Sequence, residues 1–486
     1  MRRFSGYLIH VWGSWFAEVG MCLAIVSVST SPTVAAQAAR QFRAGAATSN
    51  ITPWLGISSN GGMQDRKPQH VHDELHARAL VLDDGQTRLA LVTVDSCMVP
   101  RSILDAAKKL VNQHTGLDIA NMLMSATHTH TAATGTPVFQ SEADAEYQLF
   151  LTRKIADSVR IAINNLRPAR IGWGVGKVPQ HVFNRRWKMK PGTIPANPFG
   201  GIDQVKMNPP AGSPDLLEPA GPTDPDVTVI SLDGLDGQPI ALLANYSLHY
   251  VGAGHFSADY FGAFADRIQQ LMGADRQDPA FVGILSNGTS GNINNIDFRQ
   301  PRPAGPPFSK MKTVANDVAV EVLRVQKNIS YHDWVPLAVR HSELELAVRR
   351  PTREDLERAR RIMMNAQGPN MRTPEEIYAR ETVLISEYPP TVMVLLQALR
   401  IGDLAIAAIP CEVFVETGLQ IKKESPFAVT FTTSLANGYN GYLPTPEHHQ
   451  LGGYETWRAR SSYLEVGAST KIVTRLLELL RQLKGP

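Results

Sequence analysis

The chain is 486 residues long, with 43% hydrophobic and 19% charged residues and a formal net charge of +3. This length, well above that of an ordinary single domain, allows a large core, built as two lobes or as one large domain with insertions. The composition is that of a globular protein, and basic and acidic residues are interleaved with no long run of either sign, which argues against nucleic acid as a partner.

Met1-Arg2-Arg3, an apolar core at 21–28 and the small residues Val34-Ala35-Ala36-Gln37-Ala38 have the layout of a secretory leader cleaved near Ala36 or Ala38. Residues 1–38 are therefore expected to be a signal peptide and the mature protein to be exported, to the periplasm or beyond. The apolar core is too short to span a bilayer, and two arginines are too few for the twin-arginine route. Loss of the leader removes Cys22 and leaves Cys97 and Cys411 at the ends of apolar runs, where a buried free thiol is commoner than a bridge.

Residues 42–53 form a short entry segment, followed by the glycine-rich loop Gly56-Ile57-Ser58-Ser59-Asn60-Gly61-Gly62. The apolar runs 75–82 and 88–94, joined by Asp83-Asp84-Gly85-Gln86, read as a hairpin. A helix is expected at 102–114, a strand at Asn121-Met122-Leu123-Met124, and a long amphipathic helix at 143–166. A strand at 169–175 leads to Phe183-Asn184-Arg185-Arg186, after which proline and glycine dominate as far as Asp224. A loop of this length is usually a lid or a binding loop.

Strands resume at 227–232 and 240–247, the second ending in His249, and a helix is expected at 261–272. The buried strand 281–285 opens into Ser286-Asn287-Gly288-Thr289-Ser290-Gly291-Asn292, and the prolines of 301–307 precede a helix at 309–326. A strand at 337–348 comes before charged helices at 352–366 and 373–386, which read as a small flanking subdomain. Strands at 391–399, 404–409 and 427–433 and a helix at 469–483 complete the chain. Strands alternating with helices predict an α/β fold with a mixed sheet flanked by helices and long proline-rich loops.

Candidate ligands recur where strands end: His128 and His130 in Thr127-His128-Thr129-His130, then His249, Glu412 and Tyr442. Side chains two apart on a strand face the same way, so both imidazoles of the first pair could serve one site, as metal ligands, as acid or base, or simply as strand caps. His249 could equally be a satisfied core histidine, Glu412 a cap for a helix starting near Val413, and Tyr442 a core residue. Two histidines and a carboxylate do make a catalytic zinc set. A Gly-x-Ser-x-Gly elbow, a His-Glu-x-x-His helix and a phosphate loop are all missing, which leaves a dispersed metal site as the leading chemistry.

From about Ala44 to Ser469 these motifs, in this order, resemble the neutral ceramidases, zinc amidases that cleave the N-acyl bond of ceramide. Thr127-His128-Thr129-His130 resembles the family's Thr-His-Thr-His, in which the first histidine binds zinc and the second faces substrate. Asn184-Arg185 resembles its substrate-contacting pair, and His249 followed by Ser257-Ala258-Asp259-Tyr260-Phe261-Gly262 its second zinc histidine. Pro410-Cys411-Glu412 is similar to the family's Pro-Gly-Glu, which implies Glu412 as the carboxylate ligand. Asn437-Gly438-Tyr439-Asn440-Gly441-Tyr442 with Gly453-Tyr454-Glu455 resembles its tyrosine segments, which implies Tyr442 as a zinc ligand and Tyr454 as a carbonyl partner. The chain departs from the family at Gly288-Thr289-Ser290-Gly291-Asn292, which lacks an aspartate, and at Cys411, which replaces a glycine.

The resemblance implies residues 39–486 as a neutral-ceramidase-like catalytic domain without the family's C-terminal immunoglobulin-like domain. It implies Zn²⁺ on His128, His249, Glu412 and Tyr442, His130 as general base, Tyr454 as oxyanion partner, Asn184 and Arg185 on the substrate, and Ser290 as positioning residue or nucleophile. The expected partner is a small-molecule or lipid N-acyl substrate, with peripheral membrane contact allowed and oligomeric state open. The alternatives are a zinc hydrolase of the same fold acting on other amides or esters, and a non-catalytic exported binding protein.

Overall fold

The computed structural model describes residues 40–252, 254–302 and 305–485; the leader expected at 1–38 lies outside them. Strand β1 (Arg43–Asn50) pairs antiparallel with β2 (His76–Asp83), which pairs with β3 (Arg88–Val94). The hairpin expected between β2 and β3 is closed by Asp84, whose Oδ1 accepts the amides of Gln86 at 2.8 Å and Thr87 at 2.7 Å. Helix α1 (Arg101–Thr115) leads to β4 (Met122–Ala126), parallel to β3, and α2 (Ala145–Asn164) to β5 (Arg167–Lys177). The short strands β6 (Phe183–Asn184), β7 (Arg186–Met189), β8 (Val205–Met207) and β9 (Leu216–Pro219) follow. The hairpin β10 (Asp226–Gly234) and β11 (Pro239–Tyr246), helix α3 (Asp259–Leu271) and β12 (Val282–Asn287) complete an eight-stranded sheet of order β12-β11-β10-β5-β1-β2-β3-β4.

Strand β13 (Ile293–Asn294) pairs with β6, and α4 (Ser309–Gln326) leads to the second sheet. This half contains β14 (Leu337–Ala347), α5 (Arg353–Met364), α6 (Pro374–Ser386), β15 (Thr391–Ile401) and β16 (Leu404–Ala408). It ends with β17 (Glu412–Val413), α7 (Val415–Glu424), β18 (Val429–Thr433), β19 (Tyr442–Leu443), α8 (Pro446–Leu451) and α9 (Ala468–Lys484). Its four-stranded sheet has the order β14-β15-β16-β18.

Alternation along each strand divides its side chains between two faces. Leu80, Leu82, Leu91 and Ile284 of the large sheet bury against Leu399, Ile406 and Phe431 of the small one. The opposite residues, such as Ala79, Val81 and Val92, pack with Leu104, Leu151 and Ile155 of α1 and α2, while Val229 and Leu242 pack on α3 and α4. Helix α9 covers the far face of the small sheet through Ile472, Leu476 and Leu480. The result is four layers, helix, sheet, sheet and helix, the α/β fold with a mixed-sheet core expected from the sequence. Burial of both faces is why β2 reads as an almost continuous apolar run. Glycine alternates at 172, 174 and 176 of β5 because α4 and the residues just after it lie on the strand backbone: a Cβ at Gly174 would stand 2.8 Å from Val325 Cγ1.

Two expectations change. The stretch from Arg186 to Asp224, expected to be an irregular loop, contains the three-stranded sheet β8-β7-β9; strands of three or four residues between prolines are too short to show a period. The charged helices α5 and α6 are not a separate subdomain, because Met371, Ile377 and Tyr378 are built into the core beneath α1 and α2.

Lys108 of α1 is only 2% exposed and donates to Asn437 Oδ1 at 2.7 Å, an oxygen that also accepts the Met124 amide. The pair anchors the segment that leads to Tyr439 and Tyr442. Burial pushes the Lys108 ammonium down from 10.5 to about 8. Between those values the unfolded chain holds a proton that the folded chain has released, so native stability attributable to Lys108 rises with pH across that window. We expect the unfolding free energy of the wild type, relative to Lys108→Met, to climb by up to about 3 kcal/mol from pH 8 to 10.5 in denaturant titrations; a difference that does not vary with pH would contradict it.

Candidate metal centre

The strand pairs β3 and β4, β11 and β12, and β16 and β18 are each parallel, and the segments leaving their C-terminal ends meet at one place, where open α/β sheets ordinarily bind ligands. His128 follows β4, His249 follows β11, Ser290 follows β12 and Glu412 follows β16. Strand alternation is not what aligns His128 with His130. Strand β4 ends at Ala126, and His128 adopts a left-handed φ of 72°, a costly conformation for a residue with a Cβ. The turn sets the two rings nearly perpendicular, with centroids 4.7 Å apart. Glu412 caps no helix; it lies on β17 and is in register with Tyr442 on β19.

Each of the three histidines has its Nδ1 against a backbone carbonyl: His128 on Cys97 at 2.8 Å, His130 on Gly61 at 2.8 Å and His249 on Ser290 at 3.1 Å. A carbonyl only accepts, so Nδ1 carries a proton in all three, and each Nε2, when unprotonated, turns a lone pair inward. Gly61 can approach this closely because it has a φ of 105° and no Cβ, which would stand 2.4 Å from His130 Cγ. His128 Nε2 lies 3.2 Å from both His249 Nε2 and His130 Nε2, and 3.1 Å from Glu412 Oε2. Tyr439 donates to Glu412 Oε1 at 3.0 Å, while buried Oε2 has no hydrogen-bond partner.

These positions fit a divalent cation. Ligand atoms about 2.0 to 2.1 Å from a tetrahedral ion lie about 3.3 Å from one another, close to the spacing of His128, His249 and Glu412. Lone pairs so near one another repel unless a positive charge lies between them. Burial works against charge on Glu412, yet His128 and Arg185 hold its carboxyl below the ordinary value, and Glu412 lifts His128 well above 6.5 against its own burial, so a proton on His128 Nε2 supplies that positive charge wherever a cation does not. Burial and the neighbouring charges hold His130 and His249 well below 6.5, so both are neutral imidazoles near neutral pH. Burial likewise pushes the Cys97 thiol up, so Cys97 serves the site through its carbonyl. Cys97 and Cys411 are buried and unbridged.

Arg185 Nη1 lies 3.3 Å from His249 Nε2, and Nη2 donates to Gly291 O at 2.6 Å and to the Tyr442 hydroxyl at 3.2 Å. Tyr442 is thus beside the cluster, joined to it by the guanidinium. Fully buried Glu455 balances the arginines, receiving Arg186 Nη1 at 2.8 Å and lying 3.4 Å from Arg185 Nε. A cavity of about 340 Å³ opens over the cluster, walled by His128, His130, Arg185, His249, Tyr442 and Tyr454 together with apolar side chains that include Phe139 and Trp457. Burial keeps the Tyr454 phenol protonated and able to donate.

Two sequence candidates are not brought to the cavity wall. The Ser290 hydroxyl donates to Asn287 Oδ1 at 2.8 Å, so this residue meets the centre through its carbonyl on His249. Asn184 spends its side chain on the Arg186 amide and Pro222 O, shaping the turn that aims Arg185. Sequence reasoning missed Tyr439, Glu455, Tyr250 and Asn287. The first two lie inside the quoted motifs. Tyr250 directly follows His249 and stacks on His130 at 3.6 Å between centroids, and Asn287 ties Thr127 O to Ser290, contacts that no spacing announces.

The chain matches the sequence model of neutral/alkaline non-lysosomal ceramidase, N-terminal, over residues 42–297, just over half its length. It belongs to that family. Among its relatives, the neutral ceramidase of Pseudomonas aeruginosa is 22% identical over 484 aligned positions, covering 85% of this chain and 68% of its own length. The crystal structure of neutral ceramidase from Pseudomonas aeruginosa superposes with a TM-score of 0.67 at 17% identity, covering 92% of this chain and 75% of its own. A ceramidase complexed with C2 superposes with a TM-score of 0.69 at 15% identity over the same shares. The fold is shared.

Elemental analysis should find about one divalent ion per chain, lost in His128→Ala and Glu412→Gln, with Tyr439→Phe keeping the ion but binding it roughly 10- to 100-fold more weakly. Full occupancy in His128→Ala would rule out this centre. Glu455→Gln, which strands two buried guanidinium groups, is expected to lower unfolding free energy by about 3 to 5 kcal/mol; a loss below about 1 kcal/mol in equilibrium unfolding would show the cluster is not held by that charge.

Proposed function

We propose that this protein is a zinc-dependent amidohydrolase that cleaves the N-acyl amide bond of ceramide or a related N-acyl lipid, releasing a fatty acid and an amine. The observation that carries this reading is the convergence of His128 Nε2, His249 Nε2 and unpartnered Glu412 Oε2 beside a neutral His130, in a partly apolar cavity, in a member of the ceramidase family. His128, His249 and Glu412 would hold the zinc, with Tyr442 as the fourth candidate. Bound there, zinc supplies a Lewis acid and lowers the pKa of a water molecule toward 7.

The chain's own groups do the rest. His130, oriented by Gly61 O and stacked on Tyr250, takes the proton of the attacking water at Nε2. Tyr454 donates to the oxyanion that develops on the carbonyl, a contact whose removal ordinarily costs about 100- to 1000-fold in rate. Arg185 holds Tyr442 and the Gly291 carbonyl in place. Ser290 acts as a positioning residue rather than as the nucleophile. Export is part of the proposal, on the leader layout of residues 1–38. A hydrolase of the same fold acting on smaller amides is the second reading, favoured by a cavity of about 340 Å³, near the lower end for a drug-sized ligand.

Turnover of a fluorescent N-acylsphingosine and a short-chain N-acyl amide by the zinc-loaded protein tests this. His130→Ala should lose about 10²- to 10⁴-fold in kcat, whereas Ser290→Ala should keep kcat near wild type and mass spectrometry should find no acyl adduct. An adduct on Ser290, or absence of turnover on every N-acyl amide by the zinc-loaded wild type, would overturn the mechanism or the activity respectively.

A further inference from the structure

A second cavity of about 280 Å³ lies against the first, and the two share Gly61, Gly62, Met63, His130 and Tyr250. The stacked His130 and Tyr250 rings therefore form part of a partition between two chambers. Their chemistry differs. Besides the metal-centre groups, Arg185, Asn60 and Asn208, the first has an apolar side of Met98, Val138, Phe139 and Trp457, and the second adds Gln64, Arg66, Thr131 and Gly252.

Most polar groups of the second chamber are already engaged. Gln64 Nε2 donates to Met371 O at 2.8 Å, and the Thr131 hydroxyl donates to Ser257 O at 2.9 Å. Arg66 differs. Its side chain donates only through Nη2, to Asn60 O at 3.2 Å and His130 O at 2.9 Å, and it makes no ion pair among the described residues. Its Nε and Nη1 have no protein partner and the residue is exposed, whereas buried Arg185 is committed through Nη2 to Gly291 and Tyr442 and lies 3.4 Å from Glu455.

We propose that the second chamber is the amine-side subsite and selects N-acyl amino acids, in which a carboxylate sits on the carbon next to the amide nitrogen, with Arg66 as the anion's partner. The proposal rests on the reading of the centre as an N-acyl amidase. The acyl chain lies along the apolar side of the first chamber, and the scissile bond sits beside His130 at the edge of the partition. When the C–N bond breaks, its electron pair stays on nitrogen, and the proton that His130 took from water passes to that nitrogen, leaving a fatty acid and an amino acid. A guanidinium suits a planar carboxylate better than a neutral hydroxyl does, and Arg66 is tied to the backbone of the base itself.

The test compares kcat/KM for N-dodecanoylglycine and N-dodecanoylethanolamine, which share an acyl chain and differ in carboxylate against neutral hydroxymethyl. The wild type should prefer the glycine conjugate by at least about tenfold, as a charge-assisted hydrogen bond ordinarily gives. Arg66→Ala should bring the ratio near one, and Arg66→Lys should restore part of it. Should loss of the His130 carbonyl contact disturb the base, both substrates fall together and the ratio still reports the subsite. A wild-type ratio near one, or a ratio unchanged in Arg66→Ala, overturns the subsite. Absence of turnover of both compounds by a zinc-loaded wild type that still cleaves N-acylsphingosine also overturns the subsite, whereas absence of turnover of all three overturns the amidase reading instead.

Discussion

Three Nδ1 protons donated to three backbone carbonyls are the constraint on which the centre depends. A neutral imidazole with Nδ1 committed in this way has one remaining nitrogen, and it can only present a lone pair. The carbonyls belong to Gly61 in the glycine loop, Cys97 after β3 and Ser290 after β12, so three separate parts of the chain must be in place before any histidine is aimed. The left-handed turn at His128 and the glycine at position 61 follow from the same demand for close approach. A side chain at 61 would push the His130 ring out of position.

Charge is arranged around this constraint in pairs. Glu412 faces His128, and Glu455 faces Arg185 and Arg186. Taking ions out of water is costly unless a partner and hydrogen bonds are in place, and here each buried charge has an opposite one close by. The Glu455 cluster places Arg185 where it touches His249, Gly291 and Tyr442 at once. Tyr439 fixes one oxygen of Glu412 and leaves the other pointing at the histidines. Second partners of this kind set ligand orientation as much as the ligands themselves do.

The four-layer architecture explains how distant residues come to one point. Parallel strand pairs at the edges of both sheets end on the same side, and the loops leaving them carry one functional group each. The insertion with β7, β8 and β9 contributes Met207 and Asn208 to the cavity wall, and α5 and α6 bring Tyr378 against Phe139 and Trp457. Elements that read as accessory in the sequence thus shape or support the cavity wall.

Strands and helices of the main layers were legible in the sequence because their apolar spacing is long enough to carry a period: β2 and β3, α1, α2, α4, α9 and the hairpin at Asp83-Asp84 all lie where the pattern places them. The ligand candidates were legible as residue types at strand ends. What the pattern could not carry is what depends on contacts across the fold. It placed His128 and His130 on one strand face, where the structure has a turn, and it read 188–224 as loop, since three-residue strands have no period; the family resemblance implied Asn184 as a substrate contact and Ser290 as positioning residue or nucleophile, and their side chains turn to backbone and to Asn287. Residue chemistry is local and can be read from the chain. The direction of a side chain is decided by the polar partner it meets, and for His128, Ser290, Glu412 and Arg185 that partner lies between 3 and 284 positions away, which only the tertiary structure brings into reach.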